Sequence, residues 1–167
     1  GVAALTAGPG ITNGVSAVTS AWCNGSPLVV LGGRAPQGRW GAGSLQELDH
    51  VPILASITKS AATVLDHEQA ARMTFDAIAL AGTPHRGPVF LDFPLDVFGP
   101  SAGELPAVAP DVFRGATPDP DAVATLAALV AGAERPAFLV GSDVYWAGAE
   151  AALAAAGEHL RVPVFTN

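Results

Sequence analysis

The residues best arranged for chemistry form one turn, Thr6-Ala7-Gly8-Pro9-Gly10-Ile11-Thr12-Asn13, set between an apolar run and a helical pattern. A strand entering such a turn and a helix leaving it bring backbone N–H groups and a helix N-terminus to a ligand, and glycine lets the backbone come close. A dinucleotide fingerprint needs glycines at Gly8, Gly10 and position 13, but position 13 is Asn13 and the third glycine arrives at Gly14. A P-loop is excluded as well, because no Gly-Lys-Ser/Thr follows. The structural alternative is that Thr12 or Asn13 caps the helix and the glycines merely make the turn.

The other reactive side chains form no comparable pattern. His50, His67, His85 and His159 are scattered, with no partner at the helical spacing of a metal-ligand pair, and no metal site is expected within the chain. Ser44, Asp49 and His50 are close in sequence, but the members of a catalytic triad meet in space, so their proximity carries no weight. Cys23 follows Trp22 at the end of an apolar helical run and reads as a core thiol. Trp40, in Arg39-Trp40-Gly41-Ala42-Gly43, belongs to a loop that either closes over a substrate or packs at a subunit interface.

These residues must be positioned by alternating strands and helices. Apolar runs predict strands at Val2–Thr6, Leu28–Gly32 and Val89–Asp92, and the unbroken Leu28-Val29-Val30-Leu31 suits a strand covered on both faces. Helical composition fills Asn13–Trp22 and Glu68–Ala81, the second capped by Asp66 or His67. This alternation favours parallel βαβ units. Six prolines between Phe93 and Pro120 read as an interdomain linker. Beyond it come a helix over Asp121–Ala133, a strand over Pro136–Gly141, a helix over Ala147–Leu160 and a strand over Val162–Thr166, the start of a second α/β unit.

Composition narrows the class. Half of the 167 residues are hydrophobic, enough for a sizeable core. A net charge of −7 argues against nucleic acid or an anionic membrane surface as partner. The single cysteine excludes an internal disulfide framework and favours a reducing, cytoplasmic compartment. The chain starts at Gly1 in an apolar run and stops just after another, so both ends read as cuts through structured elements, with sequence missing on each side.

The Gly8-Pro9-Gly10-Ile11-Thr12-Asn13-Gly14 block and the following Ala21-Trp22-Cys23-Asn24-Gly25-Ser26-Pro27-Leu28 resemble the pyrimidine-binding domain of thiamin-diphosphate enzymes of the acetolactate synthase type. Leu45-Gln46-Glu47-Leu48-Asp49, Ile57-Thr58-Lys59 and Gly87-Pro88-Val89-Phe90-Leu91-Asp92-Phe93-Pro94 agree with that family in order and spacing, and Arg135–Thr166 is similar to the start of its central domain. The resemblance implies a three-layer α/β/α, flavodoxin-like pyrimidine-binding domain, partial, over 1–98, a linker over 99–118, and the start of a second Rossmann-like domain over 119–167. It also implies thiamin diphosphate with Mg2+, bound between subunits of a homodimer or homotetramer. The expected activity is decarboxylation of a 2-oxo acid such as pyruvate and ligation to a second carbonyl, with 2-hydroxyacyl-CoA lyase or oxalyl-CoA decarboxylase chemistry, or a non-catalytic homologue, as alternatives.

Carried over residue by residue, the resemblance puts Pro9, Gly10 and Asn13 on the pyrimidine pocket. It aims the amide of Gln46 at the cofactor or the bound intermediate, sets Lys59 beside the substrate channel, and places Gly141 against FAD or a nucleotide. Leu45 and Leu95 depart from the phenylalanine and lysine usual in acetolactate synthases, and Ser142-Asp143 departs from the usual glycine pair, which loosens the substrate assignment. Glu47, the one acid near the matched site, reads as structural. The activating glutamate and the metal motif of the family fall outside this chain, so the chain alone is expected to show no turnover.

Overall fold

A computed structural model describes residues 1–99 and 117–166, which divide into two compact units on either side of the intervening segment. Most of the expected linker therefore lies outside the described residues.

The first unit contains β1 (Val2–Leu5), α1 (Pro9–Cys23), β2 (Leu28–Arg34), a short α2 (Val51–Leu54), β3 (Ala61–Thr63), α3 (His67–Gly82) and β4 (Pro88–Pro94). The four strands form one parallel sheet in the order β1-β2-β4-β3. All of β4 is buried. Because strand side chains alternate, Val29, Val89 and Leu91 face one side, where they pack with Ala77 and Ala81 of α3. Val30 and Phe90 face the other, against Ile11 and Val18 of α1 and Leu54 of α2. Helices on both faces of a parallel sheet make the expected three layers.

The second unit holds α4 (Pro120–Gly132), β5 (Phe138–Val140), α5 (Ser142–Trp146), α6 (Glu150–Leu160) and β6 (Val164–Thr166), with β5 and β6 pairing in parallel. Asp119 caps α4, accepting the N–H of Asp121, and Asp66 caps α3 by accepting that of Glu68. Among the described residues no helix is long and apolar enough to cross a membrane.

Four details differ from the sequence reading. α1 begins at Pro9, a turn before Thr12 or Asn13, and Gly8 is its cap residue with no side-chain bond. Proline suits the first helical position, where its missing N–H has no partner to lose. The helix expected over Ala147–Leu160 begins later, at Glu150, after Gly148 takes φ 63°, and the short α5 ahead of it was not expected. β3 is only three residues long, too short to leave a periodic signal. Cys23 is exposed rather than a core thiol, because the apolar stripe of α1 turns its last residue toward solvent.

Candidate functional site

All four strands of the first unit end at the same edge, and Pro9, Gly10 and Gln46 lie there, as expected for ligands at the carboxyl ends of a parallel sheet. A cleft of about 500 Å3 opens at that edge, with Thr6, Gly33, Arg34, Ser44, Gln46 and Phe93 in its lining.

The turn after β1 is closed on itself. Gly10 N–H donates to Ala7 O, Ile11 N–H and Thr12 N–H both donate to Gly8 O, and Pro9 has no N–H. The N–H of Gly8 donates to Nε2 of His50 at 2.9 Å. The amides that would cradle a phosphate are thus already bonded, so this turn is a wall rather than an anion site. Gly10 has no room for a side chain, since an added Cβ would run into Cγ2 of Thr6. Gly8 adopts φ 58°, ψ −114°, a conformation open to glycine, and a Cβ there would stand 3.0 Å from Cβ of Gln46.

Gln46 itself has φ 60°, uncommon for a residue with a side chain. Its loop is pinned by Glu47, whose carboxylate accepts the N–H of Gly41 at 2.9 Å and of Ser44 at 3.2 Å, in keeping with the structural role expected of that acid. The Oγ of Ser44 is buried and has no hydrogen-bond partner among the described residues. An unpaired hydroxyl in a cleft lined by an exposed amide is a place where a polar heterocycle fits.

A buried network lies directly beneath, and sequence reasoning missed it. Nδ1 of His50 stands 3.2 Å from each carboxylate oxygen of Asp92, and both side chains are fully buried. Arg34 reaches the same carboxylate at 3.7 Å, donates from Nη1 to Oγ1 of Thr63, and lies 3.8 Å over the ring of Trp40. Burial pushes the Asp92 carboxyl up from its ordinary value, while the hydrogen bond from His50 and the charge of Arg34 pull it down and Asp49 adds to the rise. Trp40 packs on Arg34 in this chain, and the arginine's charge is directed inward.

Asp96, after β4, accepts the N–H groups of Gln37 and Gly38 at 3.1 Å each, which holds its carboxyl below its ordinary value of 3.8. A depressed carboxyl contributes stability above its unfolded value and loses it as pH falls through the folded one. An Asp96→Ala variant should therefore unfold more readily than the parent at pH 6 and converge with it toward about pH 2, as read by thermal midpoints across that range.

The expected site residues do not all meet. Pro9, Gly10 and Gln46 come together at the strand ends, and Asn13 follows one turn along α1 with its side chain exposed. Lys59 lies at the opposite edge of the sheet, its N–H donating to Pro88 O at the start of β4. Its ammonium donates to Leu80 O and Thr83 O at 2.8 Å each and to Oγ1 of Thr83 at 2.6 Å, at the C-terminal end of α3, where a cation is favoured. Gly141 precedes α5 in the second unit. Among the described residues no group of three or more His, Cys, Asp or Glu could hold a metal ion.

Comparison with known proteins finds relatives along the whole chain. Residues 1–53 match the model of the thiamine pyrophosphate enzyme N-terminal TPP binding domain. The chain is 47% identical over 169 residues to the acetolactate synthase large subunit IlvG of Mycobacterium tuberculosis, covering 100% of this chain and 31% of the relative. It is 40% identical over 100 residues to 2-hydroxyacyl-CoA lyase 2 of Danio rerio, covering 60% of this chain and 16% of that protein. The structure of the thiamine diphosphate-dependent 4-hydroxybenzoylformate decarboxylase of Rhodococcus jostii RHA1 matches with a TM-score of 0.86 at 26% identity, over 99% of this chain and 32% of that one. The chain spans about a third of the length of these full-chain matches. On sequence, fold and the closed turn at Gly8-Pro9-Gly10 together, the chain belongs to the thiamin-diphosphate-dependent enzymes, with acetolactate synthase large subunits among its relatives.

Proposed function

We propose that this chain forms the pyrimidine side of the active site in an enzyme that decarboxylates a 2-oxo acid, pyruvate being the model donor, and ligates the product to a second carbonyl as acetolactate synthase does. The observation that carries the reading is the meeting of the closed Gly8-Pro9-Gly10 turn with the Gln46 loop at the strand ends. Carbanion stabilisation is the chemistry that thiamin diphosphate supplies when bound. Pro9 and Gly10 would bound the aminopyrimidine, Asn13 would flank it, and the amide of Gln46 would offer one donor and one acceptor to a polar group without adding charge. The buried ring of Phe93 gives the cleft part of an apolar wall.

The diphosphate and a Mg2+ ion belong, on this reading, to residues outside the chain, since the turn has spent its amides. FAD or another nucleotide would approach Gly141, and a cytoplasmic homo-oligomer with composite sites completes the proposal. The 40% identity to a 2-hydroxyacyl-CoA lyase over 100 residues supports a second reading, cleavage of a 2-hydroxyacyl-CoA. Assaying the full-length protein with pyruvate beside a 2-hydroxyacyl-CoA separates the two, and turnover of the acyl-CoA alone would displace the first. In the enzyme, Gln46→Ala is expected to lower kcat for carboligation by about 10-fold to 100-fold while the thermal midpoint stays nearly constant, because the side chain is exposed and its backbone sets the loop. Unchanged kinetics would remove Gln46 from the site.

A further inference from the structure

The turn carrying Gly8, Pro9 and Gly10 is anchored by a side chain from elsewhere in the chain. The N–H of Gly8 is directed inward to Nε2 of His50, 42 residues later. A backbone N–H can only donate, so Nε2 carries no proton and the ring keeps its proton on Nδ1. That nitrogen faces both oxygens of Asp92 at 3.2 Å. The edge of Phe90 approaches the same ring, with centroids 6.4 Å apart and planes at 76°. The imidazole is therefore fixed in tautomer and in place.

Its position in the fold gives the contact reach. β1 and β4 are not neighbours, because β2 lies between them, yet His50 ties the turn after β1 to Asp92 on β4. His50 also follows Gln46 by four residues and precedes α2, so it anchors the C-terminal foot of the loop that packs against Gly8.

We infer that His50 is a positioning residue for the cofactor wall: its neutral imidazole, oriented by Asp92, holds the Gly8 amide and with it Pro9, Gly10 and the Gln46 loop in the shape that receives the aminopyrimidine. The inference rests on the proposed thiamin diphosphate site. His50 touches neither cofactor nor substrate and acts through the backbone.

The test uses the full-length protein and two variants, His50→Leu, which fills the space but offers no acceptor, and His50→Gln, whose Oε1 can stand in for Nε2. Thiamin diphosphate affinity is measured by titration calorimetry in the presence of Mg2+, beside the thermal midpoint of each cofactor-free protein. His50→Leu should weaken cofactor binding about 10-fold or more, and His50→Gln should restore it to within about threefold of the parent. Equal affinities for His50→Leu and the parent, or a glutamine variant no better than leucine, would overturn the inference while leaving the cofactor site standing. A parent protein that fails to bind thiamin diphosphate overturns both. Hydrogen exchange in the parent needs no variant: the Gly8 amide should already be protected before cofactor is added, and exchange within seconds would overturn the anchor even if His50→Leu does not fold.

Discussion

An Asp92→Ala variant is expected to lose about 3–5 kcal/mol of stability, the largest effect of any single substitution considered. The carboxylate is fully buried and faces His50 on one side and Arg34 on the other, so its removal leaves an imidazole N–H and part of a guanidinium charge without their acceptor. Asp92→Asn should cost less, because one amide oxygen can still accept from Nδ1 of His50. Denaturant unfolding of the two variants beside the parent checks the order, and a cost for Asp92→Ala within the range of an exposed surface change would show that the network contributes nothing. The pH dependence has a definite sign. Burial raises the Asp92 carboxyl, so its contribution is fully favourable below its ordinary value of 3.8 and is lost as pH rises through the folded value. The stability of the parent relative to Asp92→Asn should accordingly decline as pH is raised from about 4.

Gly8→Ala is the second large effect, at about 2–3 kcal/mol, and it reaches the site directly. Two penalties coincide there. Alanine is strained at φ 58°, ψ −114°, and its Cβ would lie 3.0 Å from Cβ and 3.1 Å from the carbonyl oxygen of Gln46. The second contact is to backbone, which cannot swing aside as a flexible side chain can. Relief requires moving either the turn or the Gln46 loop, so cofactor affinity should fall together with stability. Gly148→Ala, in the second unit, is the control, because φ is 63° but nothing lies within 4 Å of the added atom. It should cost about 1 kcal/mol and leave thiamin diphosphate binding close to that of the parent. Equal effects at the two positions would show that strain alone, and not contact with Gln46, accounts for the loss.

The candidate site was legible in sequence where its pattern is local. Gly8-Pro9-Gly10 followed by Asn13 distinguishes the turn from a dinucleotide fingerprint within a few residues, and the N–H groups of Gly8, Gly10, Ile11 and Thr12 are already bonded. Gln46 and Glu47 were singled out only through the family resemblance. His50 and Asp92 were not legible. Each stands 42 residues from its hydrogen-bond partner on the N-terminal side, and neither sits in a spacing that a helix or strand would mark. Lys59 shows the converse case, in which a short motif named the residue but the sheet placed it at the edge opposite the turn, with its ammonium closing the end of α3.

By itself the amino-acid sequence determined the alternation of strands and helices, the apolar run of β2, the cap of α3 at Asp66 and the glycine-proline turn, because these follow from side-chain period, proline geometry and capping chemistry over a few residues. Tertiary structure alone decided which strands adjoin, where Cys23 and Lys59 face, and that an imidazole from before α2 would hold the amide of Gly8. Those outcomes depend on the parallel order β1-β2-β4-β3, which brings distant chain segments to one edge and buries their polar groups until each finds a partner.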